Sequence, residues 1–260
     1  MKTVIQNIRG FTIQATDGEV GSVETLYFDE QTWAIRYLVV NVGNWLLPDQ
    51  ILLSPVVVTD VDREEENISV ALTKEQVKNS PHMDTKRPVS RQYEVTLHEY
   101  YNWNPYWLHA PTYSGGLTAP RTAALEKQPK GTEKTAAAAP ADKGDPHLRS
   151  TEEVEGYHIN AVDGEIGHIE EFLVDTDFWF IRYFVIDTKN WLPGKEVIVS
   201  PSWIEDINWV DREVSVSMTQ EMIESSPEYD GEEMVNREYE RRLYDHYQAV
   251  VYWKEAQVTH

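Results

Sequence analysis

The 260-residue chain has no cysteine. That absence excludes disulfides, thiolate nucleophiles and Cys-ligated metal or iron–sulfur centres. Long apolar runs are also missing, and nothing approaches the roughly 18–20 residues a helix needs to span a bilayer. The opening Met1-Lys2-Thr3-Val4-Ile5-Gln6 lacks the apolar core of a secretory leader, so a cytoplasmic protein without a membrane span is expected. In that setting the sequon Asn67-Ile68-Ser69 carries no weight. Basic residues are scarce: 23 Lys and Arg face 44 Asp and Glu, for a net charge of −21. Residues 1–107 hold 9 basic and 15 acidic groups, and residues 151–260 hold 8 and 25. Both stretches would repel phosphate backbones, which argues against nucleic-acid binding. The eight histidines never fall at i, i+4, and no His-Glu-x-x-His, P-loop, dinucleotide fingerprint or Gly-x-Ser-x-Gly occurs. No cofactor is expected, and no enzyme.

What the chain has is itself, twice. Residues 10–107 align without a gap on residues 156–253, a shift of 146, with 35 of 98 positions identical. Asp17-Gly18-Glu19 recurs as Asp163-Gly164-Glu165, and Trp33 as Trp179. Ile35-Arg36-Tyr37 recurs as Ile181-Arg182-Tyr183, and Asn44-Trp45-Leu46 as Asn190-Trp191-Leu192. Ser54-Pro55 returns as Ser200-Pro201, and Tyr106-Trp107 as Tyr252-Trp253. A repeat of this length, present twice, is a domain duplication and not a solenoid of short units. A residue type held in both copies must first serve the module.

Within the first copy, Phe11–Ala15 alternates into Asp17-Gly18, a two-residue hairpin signal, and the return strand runs from Val20 to Phe28. Trp33–Val40, rich in β-branched and aromatic residues, reads as the longest strand. Gln50–Leu53 and Val56–Asp60 follow, parted by Ser54-Pro55, because proline cannot continue a ladder. Asn67–Leu72 is a sixth strand, and Thr73-Lys74-Glu75-Gln76 has capping-box form and opens a helix through Asn79. Six short strands and one helical turn point to a small β-barrel.

After Pro81 the pattern changes. Tyr93, Leu97 and Tyr101 fall at i, i+4, i+8, as do Tyr239, Leu243 and Tyr247. Each set is one apolar stripe on an amphipathic helix, with Arg91, Glu94 and Glu99 placed on other faces. Such a helix packs on its own barrel or docks on the other module or a second chain. Residues 108–148 are Ala-, Pro-, Lys- and Thr-rich, with Ser114-Gly115-Gly116 and Ala136–Ala139, the composition of a flexible linker. The expected organisation is a first barrel over 1–107, a linker over 108–148 and a second barrel over 149–260. Each barrel should fold alone, and the pair should dock about a pseudo-twofold axis, with homo-oligomers through the same surfaces an open option.

The string Asp-Gly-Glu-(Val/Ile)-Gly, then Trp-x-Ile-Arg-Tyr-x-Val, then Asn-Trp-Leu and Ser-Pro, resembles the PRC-barrel family. That family includes the cytoplasmic domain of the photosynthetic reaction-centre H chain and the C-terminal domain of a ribosome maturation factor. The tail Arg91-x-Tyr93-Glu94-x-x-Leu97, repeated as Arg237-x-Tyr239-Glu240-x-x-Leu243, looks like the extension of stand-alone bacterial members. The resemblance implies a mainly β fold of two tandem PRC-like barrels, each with a short helix and a C-terminal amphipathic helix. It also implies adaptor work on protein partners, and it brings no catalytic constellation.

Arg36 and Arg182 sit inside the most apolar strand and need acceptors, for which Asp17, Glu24, Asp29 and their second-copy equivalents are candidates. A structural ion pair is the expected role; a guanidinium that reads a ligand carboxylate is the other. Trp45 and Trp191, in turns, either anchor a protein contact or fold back to plug the barrel end. Tyr93, Leu97, Tyr239 and Leu243 complete the interaction candidates. Asp60-x-Asp62-x-Glu64-Glu65-Glu66 lacks the glycine and spacing of an EF-hand loop, so it reads as a solvated acidic turn and not a metal site. The functional expectation is a non-enzymatic protein–protein adaptor or scaffold. Two alternatives stand beside it: an assembly or regulatory factor for a membrane complex of the reaction-centre type, and a small-molecule or metal-sensing module.

Overall fold

A computed structural model describes residues 5–43, 49–81, 89, 91–103, 147–188, 195–229 and 235–253. In chain order the elements begin with β1 (Ile5–Gln6), β2 (Thr12–Ala15), β3 (Gly18–Asp29), β4 (Ile35–Asn41) and β5 (Gln50–Leu53). Then come β6 (Val58–Asp62), β7 (Asn67–Val70), α1 (Lys74–Lys78), α2 (Arg91–Tyr101), β8 (Leu148–Ser150) and α3 (Thr151–Val154). The second set is β9 (His158–Ala161), β10 (Gly164–Asp175), β11 (Phe180–Asp187), β12 (Glu196–Val199), β13 (Ile204–Asn208), β14 (Glu213–Val216), α4 (Gln220–Glu224) and α5 (Arg237–His246).

The chain divides into two compact units, Ile8–Glu152 and a second made of Met1–Asn7 with Glu153–His260. In the first, the ladder runs β5-β4-β3-β2-β7-β6; in the second it runs β12-β11-β10-β9-β14-β13. Each is the other moved by 146 residues, including the one parallel pair, β2 with β7 and β9 with β14. The register breaks at equivalent points of the long strand, between Val23 and Thr25 and between Ile169 and Glu171. Such bulges bend and twist a strand. No ladder among the described residues joins β5 to β6. Ser54-Pro55 intervenes, and a 3₁₀ turn at Pro55–Val57, capped by the Ser54 side chain, carries the chain across the seam.

Both cores are aliphatic and aromatic: Ile13, Tyr37, Leu38, Val39, Leu52 and Ile68 in one, and Ile159, Leu173, Tyr183, Val185, Ile198 and Ile223 in the other are fully or almost fully buried. The expected capping box forms, with Thr73 accepting from the Gln76 N–H and Gln76 answering at the Thr73 backbone.

Three features depart from the sequence reading. The longest strand of the first unit is β3, with 12 residues, and not the Trp33–Val40 run. β4 starts only at Ile35, because Trp33 takes a left-handed backbone with φ 61° and belongs to the preceding turn. Each sheet also has seven strands in place of six, and the seventh lies outside the repeat it completes. β8, just ahead of the second repeat, pairs with β3 of the first unit; β1, just ahead of the first repeat, pairs with β10 of the second.

Duplication extends to strained positions. Among the described residues, the six non-glycine residues with positive φ form three pairs 146 apart: Trp33 and Trp179, Glu66 and Arg212, Asn102 and Gln248. Two of these pairs differ in residue type, so the backbone path, and not the side chain, has been kept. Gly21 and Gly167 are required by contact: a Cβ at either would run into a backbone carbonyl oxygen, that of Asn41 or of Asp187.

Candidate functional site

The repeated polar residues converge at the turn after the long strand and under the C-terminal helix. In the first unit Asp29 closes β3, and its Oδ1 accepts the backbone N–H groups of Gln31 and Thr32, both at 3.0 Å. Its Oδ2 accepts from Arg36 at 2.8 Å, and both side chains are 18% exposed. Trp33, turned left-handed by this tight loop, donates its N–H to the Asp29 carbonyl and stacks on Phe28, with centroids 5.2 Å apart. Of the three carboxylates offered to Arg36 by sequence, the turn selects Asp29. Asp17 instead accepts the Lys74 N–H at the start of α1, and Glu24 accepts from Gln50.

The second unit repeats the device more deeply. Asp175 accepts from the N–H groups of Asp177 and Phe178 and from Arg182 Nε at 3.0 Å. The Asp175 side chain has no exposure. The two aspartates differ accordingly. Burial raises the Asp29 carboxyl, but Arg36 and Thr32 outweigh it and hold it below the ordinary aspartate value. At Asp175 burial dominates, and its carboxyl stays above that value despite Arg182.

A second repeated pair joins the sheet to its helix. Tyr37 on β4 donates to Glu94 Oε1 on α2 at 2.9 Å, with His98 Nε2 also 2.9 Å from the hydroxyl. Tyr183 on β11 donates to Glu240 Oε1 on α5 at 2.7 Å. Glu94 and Glu240 are 0% and 1% exposed. The spacing argument places Glu94 away from the apolar stripe. The tyrosine hydroxyl draws it into the core, because a buried phenol needs a polar partner. The signal that finds it is its recurrence as Glu240.

In the second unit the terminal Tyr-Trp pair closes over this layer. Tyr252 donates to Glu240 Oε1 at 2.7 Å, and its ring centroid lies 4.2 Å from the Arg182 guanidinium carbon and 5.4 Å from that of Arg237. Arg237 also pairs with Glu240 Oε2 at 2.7 Å and covers the Trp253 ring at 4.3 Å. Burial raises the Glu240 carboxyl above its ordinary value; the hydrogen bonds from Tyr252 and Tyr183, with Arg237 and Arg182, offset this only in part.

The interaction candidates on the helices lie within their own units. Leu97 is fully buried against Tyr37, Val39, Leu52 and Val89, and half-buried Tyr93 packs on the same cluster and donates to the Pro81 carbonyl. Leu243 is fully buried, and Tyr239, 6% exposed, donates to the Pro227 carbonyl. Each helix therefore covers its own sheet, and burying one leucine contributes about 1.5–3 kcal/mol. Trp45 and Trp191 lie outside the described residues. In the acidic loop Asp62 Oδ1 accepts the Glu65 N–H, and Glu64–Glu66 face solvent. Among the described residues no group of three His, Asp or Glu is placed to hold a metal ion, and no helix is long and apolar enough to cross a membrane.

The family model for the PRC-barrel domain matches residues 4–77, from β1 through most of α1. No curated protein matches the chain in sequence.

Proposed function

Residues 4–77 being a PRC-barrel domain, and the same strand order recurring 146 residues later, we propose that the chain is a non-enzymatic adaptor that carries protein partners on two PRC-barrel modules. One observation carries the reading: three pairs of acidic residues kept in both repeats have partners within their own units. Asp17 and Asp163 each accept the first helical N–H of α1 and α4. Asp29 and Asp175 hold Arg36 and Arg182, and Glu94 and Glu240 hold Tyr37 and Tyr183. These groups stabilise each module and leave recognition to other residues, and 63 of the 98 aligned positions differ between the repeats. Two scaffolds of one design with different sequences suit a protein that brings separate partners together.

The test is isolation of the tagged full chain from its source cells under gentle conditions, followed by native mass spectrometry. The adaptor reading expects at least one protein bound in fixed ratio and released by salt or by competition with untagged chain. A chain that retains only a small organic ligand or a metal ion, with no protein in fixed ratio, would contradict it and favour a sensing role.

A further inference from the structure

One sequence-distant contact in the first unit is made by a segment that begins 40 residues after the first repeat ends. From His147 to Glu152 this strap lies along β3. It pairs in antiparallel register, Tyr27 with Ser150, Phe28 with Arg149 and Asp29 with Leu148. Glu30 fixes one end, donating its N–H to the His147 carbonyl at 2.8 Å and gripping Arg149 Nε at 2.6 Å and His147 Nδ1 at 3.0 Å. Leu148 packs on the buried cluster of Tyr37, Val39, Leu52 and Leu97. At the other end the hydroxyls of Ser150 and Thr151 lie 3.1 and 2.9 Å from Thr25 Oγ1, and Thr151 Oγ1 accepts the Leu26 N–H. Thr25 and Thr151 are 7% and 5% exposed. Backbone ladder, apolar anchor, charged hook and hydroxyl pair together make a strand-acceptor site with definite requirements.

The chain fills that site in an unusual way. The donor leads directly into the second repeat, and the second unit is completed in turn by β1, which leads into the first. The chain passes from one unit to the other between Asn7 and Ile8 and again between Glu152 and Glu153. Reciprocal exchange is the topology that permits swapping between copies, because every contact of the closed chain is reproduced when the donor comes from a neighbour. The pairings are short, three residue pairs for β8 and two for β1, so each can open locally without unfolding its sheet.

We propose that the edge of β3 between Thr25 and Glu30 accepts the His147–Glu152 strap of a second copy of this chain, so that copies assemble by strand exchange. This goes beyond the adaptor reading and does not depend on it. The closed single chain dominates at low concentration, since the 39 residues between Trp107 and His147 tether the donor to its own acceptor, and tethering gives a roughly millimolar effective concentration.

The cysteine-free sequence permits a direct test. Full-length Thr25→Cys and Thr151→Cys chains, each with one thiol, are mixed, unfolded together, refolded at about 10 µM and at about 1 mM, and oxidised. Exchange predicts a covalent dimer joined between positions 25 and 151, identified by mass spectrometry of the linked peptides. Its yield should be roughly tenfold or more higher at the greater concentration, as competition with a millimolar tether requires. The double variant should close within one chain at 10 µM. A double variant that closes while the mixed single variants give no 25–151 link at either concentration overturns the proposal. Light scattering on the unsubstituted chain, refolded in the same way, guards against a folding defect. A strictly monomeric protein at both concentrations overturns the proposal, as does a dimer whose linked peptides exclude 25–151.

Discussion

Arg182 lies over the ring of Tyr252, its guanidinium carbon 4.2 Å from the centroid, while the same tyrosine donates its hydroxyl to Glu240. One side chain near the end of the described chain therefore screens a cation and satisfies a buried carboxylate. The two roles separate by substitution. Tyr252→Phe keeps the ring and removes the hydrogen bond, at a cost of about 1.5–3 kcal/mol for a bond to a charged group. Tyr252→Leu loses the cation contact as well, a further cost of about 0.5–2 kcal/mol. Thermal unfolding should rank wild type above Phe and Phe above Leu. Equal midpoints for wild type and Tyr252→Phe would show that the hydroxyl contributes nothing.

The two arginine pairs should not be equal. Asp175 has no solvent contact, whereas Asp29 and Arg36 are each 18% exposed. Arg182→Met leaves a wholly buried carboxylate without its cation and should cost about 3–5 kcal/mol. Arg36→Met should cost less, about 1–3 kcal/mol, since water reaches Asp29 and the turn N–H groups still bond it. Denaturant melts of both variants measure the difference. A larger loss for Arg36→Met would contradict the role of burial in setting these pairs.

Acid titration of stability gives opposite signs at two carboxylates. Asp29 is lowered from 3.8 by its partners, so the folded state binds its proton later than the unfolded chain does. Its stabilisation is present above the unfolded value and is lost as pH falls through the folded one. Glu240 is raised from 4.5, so its contribution is full below the unfolded value and declines as pH rises through the folded one. The advantage of wild type over Asp29→Asn should therefore shrink on acidification from pH 6 to 3. Its advantage over Glu240→Gln should grow between pH 7 and 4. Unfolding midpoints across pH check both, and slopes of the same sign would contradict the assignment.

Much of this architecture is legible in the sequence. The Asp17-Gly18 hairpin, the capping box at Thr73 and the helix carrying Leu97 each have a local cause, and the 146-residue shift repeats them. That Arg36 needs a carboxylate is equally legible. Which one it takes is not, because Asp17, Glu24 and Asp29 are all near in sequence, and only the turn geometry separates them. Trp33 gives no warning of its left-handed backbone, since bulky residues disfavour that region and sequence reading follows propensity. Glu94 has the wrong polarity for a core position, and only its tyrosine partner, 57 residues away, explains it. The exchanged strands are the least visible: two or three residues carry no periodicity, and their partners lie more than 100 residues distant.

The account rests most heavily on the completion of each sheet by a strand from outside its own repeat, and unfolding of two fragments tests it most directly. Residues 8–152 hold all seven strands of the first unit, whereas residues 8–107 lack the His147–Glu152 strap with its Glu30 and Thr25 contacts. The longer fragment should unfold in one cooperative transition. The shorter should melt at least about 5–10 °C lower, as a loss of 1–2 kcal/mol produces in a domain of this size, or show no transition at all. Equal midpoints and equal cooperativity for the two would contradict the claim and return the module to the bounds of its repeat.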